Sequence, residues 1–106
     1  MKLLTNELLK RFEQIGCQDG HSDPLILAHF FNPVGAGDWY ASEYYPENRV
    51  FFGFVSLLEQ EWGYFSLDEL ESVRLPIGLK IERELYFNEI RFSELAAQKN
   101  FRNMLK

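Results

Sequence analysis

Apolar and polar positions along the chain change period several times, and each change marks a predicted element. Leu4, Leu8, Phe12 and Ile15 recur at helical spacing with Lys10, Arg11 and Glu13 between them, which predicts a first helix from about Asn6 to Ile15. Thr5 is placed to cap it and Gly16 to end it. Cys17 to Asp23 is rich in turn formers and reads as a loop. From Pro24 to Phe31 the run PLILAHFF is apolar on both sides, as in a covered strand, and Asn32, Pro33, Gly35 and Gly37 then force a turn. Trp39 to Tyr45 alternates, with Trp39, Ala41, Glu43 and Tyr45 on one side and Tyr40, Ser42 and Tyr44 on the other. Val50 to Leu58 carries little polarity and should be central, with Gly53 marking a bulge or a close backbone contact. Trp62 to Phe65 gives a short fourth strand.

Ser66 followed by Glu69 is a capping box, so a helix starts there; Leu67, Leu70 and Val73 form its apolar stripe and Pro76 limits it to about two turns. Leu79 to Phe87 returns to a period of two. Leu79, Ile81, Leu85 and Phe87 share one side, and Lys80, Glu82, Glu84 and Tyr86 the other. Arg83 breaks the pattern by falling on the apolar side, where a guanidinium needs acceptors because it keeps its proton. Glu43 is the matching anomaly on the second strand and Glu61 precedes the fourth, so an internal ion pair of Arg83 with Glu43 or Glu61 is the expectation. Ser93 can cap a last helix carrying Ala97, Phe101 and Met104. Connections this short imply antiparallel pairing. The predicted fold class is α+β: a mostly antiparallel sheet of about five strands with an N-terminal helix, a short inserted helix and a C-terminal helix, as a single domain over residues 1–106.

Charge narrows the function classes. The net charge is -5, and between Glu43 and Glu71 seven acids face one base, Arg49. Indiscriminate binding to a phosphate backbone draws on Lys and Arg, so it is disfavoured. Cys17 is the single cysteine, which leaves no internal disulfide and no support for an oxidising compartment. MKLLTNELLKRF lacks an apolar run of signal-peptide length and no later run reaches membrane-spanning length, so cytoplasm is the expected location.

Candidate chemistry is sparse. Asp19, His21 and Asp23 in DGHSD put three possible metal ligands within five residues, but turn chemistry accounts for them better and no metal or other cofactor is expected. His29 alternates with Leu27 and Phe31 and reads as a hydrogen-bonded core residue. The serines lie in no nucleophile-elbow pattern, and GAGD at Gly35 opens onto a strand rather than a helix, which removes the helix terminus that would hold a phosphate. The chain thus reads as a binding protein without a catalytic role, docking a protein partner through an aromatic surface of Trp39, Tyr40, Tyr44 and Trp62 rimmed by acids. Two other classes compete with it. One is nucleic-acid binding by aromatic stacking, with charge from Arg74, Lys80, Arg83 and Arg91. The other is a small enzyme with Glu82, Arg83 and His29 around a pocket.

Phe31, Pro33, Gly35, Ala36, Gly37, Trp39, Glu43, Phe52, Gly53 and Glu61, then GYFSLDEL from Gly63 and GLKIERELYF from Gly78, form a pattern that resembles the bacterial family known as domain of unknown function 2958. The resemblance covers roughly Leu3 to Ser93. It implies an accessory protein carried by plasmids and integrative elements, commonly near anti-restriction and partition-type genes, and it implies no reaction. The chain departs from the family pattern at His29, where a lysine is usual, at Glu84, where an aspartate is usual, and in its longer tail from Glu94.

Overall fold

A computed structural model describes residues 1–99. Helix α1 spans Asn6–Ile15, with the Thr5 hydroxyl accepting from the Leu8 amide and the Gly16 amide donating back to Phe12 O. It packs Phe12, Leu8 and Ile15 against one face of an antiparallel sheet. That sheet runs in the order β5 (Gln60–Ser66), β4 (Val50–Ser56), β3 (Asp38–Tyr45), β2 (Ala28–Phe31), β6 (Glu82–Arg83). A second, two-stranded ribbon pairs β1 (Leu25–Ile26) with β7 (Ile90–Arg91). Helix α2, Leu67–Ser72, begins where the capping box predicts, the Ser66 hydroxyl accepting from the Glu69 amide at 3.1 Å. Helix α3, Phe92–Lys99, covers the opposite face. The α+β architecture expected from the periodicity is the one observed.

The sheet therefore has two cores. Phe30, Ala41, Phe51, Leu67 and Leu70 lie on the α1 and α2 side; Ile26, Tyr40, Phe54, Phe92 and Leu95 lie on the α3 side. Phe30, Phe51, Phe54 and Phe92 are fully buried, and removing each from water contributes roughly 2 kcal/mol or more.

Four expectations change. The run from Pro24 to Phe31 is two strands, interrupted at Leu27, whose amide donates to Ala41 O. The run from Leu79 to Phe87 is a strand only at Glu82–Arg83. Beyond it the chain turns, Phe87 N donating to Glu84 O, so Leu85 and Tyr86 face solvent. Ile81 enters the α1 core and Phe87 the α3 core, although alternation had put them on one side. Ser93 does not cap α3 but lies inside it. Asp23 does the capping from across the chain, accepting from the Ser93 amide at 2.8 Å and the Ser93 hydroxyl at 2.7 Å. Of the expected stripe on that helix, Ala97 is exposed, and Phe101 and Met104 lie outside the described residues.

β3 carries a bulge. Ala41 pairs with Gly53 and Glu43 with Phe52, so Ser42 is the extra residue. Gly53 makes this possible. A Cβ there would sit 1.9 Å from the Tyr40 carbonyl oxygen, so β3 and β4 approach more closely than any side chain allows. We expect Gly53→Ala to destabilise the fold by about 3 kcal/mol, as overpacking against fixed backbone does. A denaturation midpoint equal to that of the wild type would contradict the close approach.

Candidate functional site

Arg83 sits in one cross-sheet row with Phe30, Trp39, Val55 and Glu61. The row places Arg83 and Glu61 at opposite edges, four strand spacings or about 19 Å apart. Glu43 is out of reach for a different reason. The Ser42 bulge turns it from the side of Trp39 and Ala41 to the side of Phe52, two strands from β6. The internal ion pair expected from alternation is not formed. Arg83 is half-buried, and its Nε donates to Lys2 O at 3.4 Å while its amide meets Met1 Sδ.

Glu43 is buried by other means. One carboxyl oxygen accepts from the Gln18 amide at 2.8 Å and the other from the Tyr45 hydroxyl. Gln18, itself buried, donates through Nε2 to Leu25 O and Ser42 O, both at 2.8 Å, and accepts from the Leu25 amide at 2.7 Å. The Tyr45 phenol is pushed above its ordinary range by its hydrogen bond to Glu43, then by burial and by the negative charge beside it. Burial, with Asp38 and Glu84 nearby, raises Tyr40 in the same direction.

The four aromatic residues expected to form one docking surface do not share a face. Trp39 and Tyr44 pack on the α1 side, Tyr44 against Phe12 and Phe51. Tyr40 is buried beneath α3, and Trp62 is half-buried against Phe54 and Phe92. What the α3 side offers to solvent lies toward β5. Tyr64 is 70% exposed, with ring contacts to Phe52 at 4.9 Å and Tyr45 at 6.4 Å. Tyr45, Asn48, Val50 and Tyr64 line a recess of about 430 Å³. In the turn before β5, Leu57 is half exposed and Leu58 wholly so.

The two edges of the sheet differ. β6 pairs with Phe30 and Phe31, and β7 takes over alongside β1. The segment between them is tied to α1 by Arg11, which donates to both oxygens of Glu89 at 2.7 and 2.8 Å. β5 has one neighbour, β4, among the described residues. Its hydrogen-bond phase follows from two flanking bonds in the same ladder, Leu67 N to Arg49 O and Leu57 N to Glu59 O. Odd-numbered residues of β5 turn their backbone groups toward β4. Gln60, Trp62, Tyr64 and Ser66 turn theirs outward.

His29 is the buried histidine expected from alternation. Nδ1 lies 2.6 Å from Glu84 Oε1 and Nε2 2.8 Å from Asp38 Oδ1, with the ring stacked on Tyr40 at 4.4 Å. Each ring nitrogen is occupied by an acid, so neither is left to move a substrate proton. Glu82, Arg83 and His29 do not converge: Arg83 accompanies Phe30 on the α1 side, and the acid on His29 is Glu84. Asp38 was not singled out from sequence, and Glu84 was noted there as a departure from the family pattern rather than as a partner of His29. The hairpin register, which sets Asp38 diagonally across from His29, is the signal that reveals the first. In DGHSD, Asp23 is engaged in capping α3. No group of three or more His, Cys, Asp or Glu among the described residues is placed to hold a metal.

With this geometry established, comparison gives a family. The profile described as Protein of unknown function (DUF2958) matches residues 2–102. The chain belongs to that family. No curated protein and no solved structure matches it. In this DUF2958 chain GYFSLDEL holds the exposed Tyr64 and the cap of α2, while GLKIERELYF holds β6 and the turn that brings Glu84 to His29. No helix among the described residues is long and apolar enough to cross a membrane.

Because the Tyr45 phenol is raised in the folded state above its unfolded value of about 10, its contribution is complete below that pH and is lost as pH rises past it. The urea midpoint should therefore fall above about pH 10, and Tyr45→Phe should fall less steeply. Parallel curves would contradict the Tyr45 assignment.

Proposed function

We propose that the chain is a protein-binding module that docks its partner along the β5 margin. The observation carrying this reading is the coincidence of a strand edge, with one neighbour among the described residues, and exposed apolar side chains at Tyr64, Leu57 and Leu58. Strand addition at such an edge supplies affinity through main-chain hydrogen bonds, and flanking side chains supply selectivity. The site thus differs from the set Trp39, Tyr40, Tyr44 and Trp62, of which Trp62 alone lies on β5.

Charge favours a protein over nucleic acid at this margin. Glu59 and Glu61 lie along it, and Arg49 is already held by Asp68 at 2.7 Å and Glu71 at 3.2 Å. Of the cations named for stacking none lies on β5: Arg83 is on β6, Arg91 on β7, and Arg74 and Lys80 between α2 and β6. We further propose an accessory role for a bacterial mobile element, as inhibitor or counter-defence factor, which an acidic docking module of this kind suits.

Affinity capture from a bacterial host with the tagged chain tests the reading. Leu58→Asp combined with Tyr64→Ala changes exposed side chains and removes the Tyr64–Phe52 cross-strand pair, so stability should stay within about 1.5 kcal/mol of wild type. The wild type should retain a protein that the double variant loses. Equal recovery of every protein by both would overturn the docking site.

A further inference from the structure

We infer that the recess between α1 and the β6–β7 segment binds a small zwitterion, an α-amino acid with an apolar side chain, whose carboxylate is taken by Arg83 and whose ammonium is taken by Glu7. The site is separate from the β5 margin, so it goes beyond the docking reading and does not rest on it.

The residue that breaks the alternation is the starting point. Arg83 is half-buried on the α1 side of the sheet, where a guanidinium keeps its charge and needs acceptors. The fold supplies one, Lys2 O, at a long 3.4 Å from Nε. No carboxylate among the described residues pairs with Arg83, and its terminal nitrogens have no acceptor among those residues. Arg11 and Arg49 each meet acids, and Arg74 and Arg91 are exposed to water. The planar fork left over on Arg83 matches a carboxylate with two parallel hydrogen bonds.

Arg83 lines a recess of about 250 Å³ whose other charges are satisfied with one exception. Arg11 is held by both oxygens of Glu89, and Glu84 meets the ring of His29. The exception is Glu7, one turn before Arg11 on α1, whose carboxylate has no hydrogen bond or ion pair among the described residues. One cation and one acid remain, so the ligand that satisfies both carries one group of each sign. A phosphate or a dicarboxylate would instead bring its charge up against Glu7, Glu84 and Glu89. Leu8, Leu27 and Phe87 in the same wall receive an aliphatic body. The volume lies below the roughly 300 to 1,000 Å³ that takes a drug-sized molecule, which suits a ligand the size of an amino acid.

Isothermal calorimetry of the full chain tests this with leucine and two analogues: 4-methylpentanoate, which lacks the ammonium, and 3-methylbutylamine, which lacks the carboxylate. Leucine should bind with a Kd of about 1 mM or tighter, and each analogue at least about tenfold more weakly. Arg83→Lys keeps the charge and loses the fork, so it should weaken leucine by about tenfold. Glu7→Gln should weaken leucine while leaving 4-methylpentanoate unchanged, a difference that a merely structural glutamate would not produce. Glu7 is exposed, so that variant carries the test even where Arg83→Lys fails to fold.

Absence of leucine binding up to about 10 mM overturns the inference. So does an analogue that binds as tightly as leucine, because the site would then read one charge and not two. Leucine binding that is unchanged by Glu7→Gln and by Arg83→Lys lies elsewhere on the molecule and overturns it as well.

Discussion

Everything distinctive about this sheet depends on one extra residue in β3 and the polar groups that make it tolerable. A bulge at Ser42 leaves a main-chain carbonyl without a ladder partner in a buried place, and an unsatisfied group there costs about 1–3 kcal/mol. Gln18 supplies the donor, and the same side chain fixes both main-chain groups of Leu25. Its amide holds Glu43, and Tyr45 holds the other carboxyl oxygen. The loop after α1, the start of β1 and the middle of β3 are thereby joined through a buried knot that contains no cation in its described bonds.

The bulge decides which residues face which core. Before it, Trp39 and Ala41 look toward α1; after it, Tyr44 does, with Glu43 and Tyr45 delivered to the other side. That reversal puts Tyr45 beside Tyr64 and leaves an aromatic margin beyond the cover of α3. At the far edge β6 and β7, two residues each, succeed each other along β2 and β1, so that edge is short and broken. The seven-residue β5 is the longer of the two edges among the described residues, and Gly63 is at its centre.

Local signals were legible in the sequence and non-local ones were not. The Thr5 and Ser66 caps and the stripe of α1 depend on residues three or four apart, so they read directly. Gly53 was recognisable as a bulge or a close backbone contact, because a glycine inside an apolar strand marks one or the other, and the close approach to Tyr40 O is the one observed. The cap of α3 was invisible, since Asp23 reaches it across about seventy residues. Alternation misled from Leu79 onward because it presumes a single sheet face, whereas this segment crosses from one core to the other around the sheet edge. The aromatic surface failed for the same reason: neighbours on a strand face opposite sides, and an unseen bulge exchanges them. His29 was placed correctly as a core residue, but its acids come from a hairpin register and a turn that no periodicity reports.

Chemical denaturation of Gln18→Ala tests the central claim most directly. The substitution deletes three hydrogen bonds of 2.7 to 2.8 Å and leaves Ser42 O and both main-chain groups of Leu25 without that partner. The account predicts a loss of about 3 kcal/mol or more. A loss below about 0.5 kcal/mol, the range of an ordinary surface change, would mean that the bulge stands without its knot.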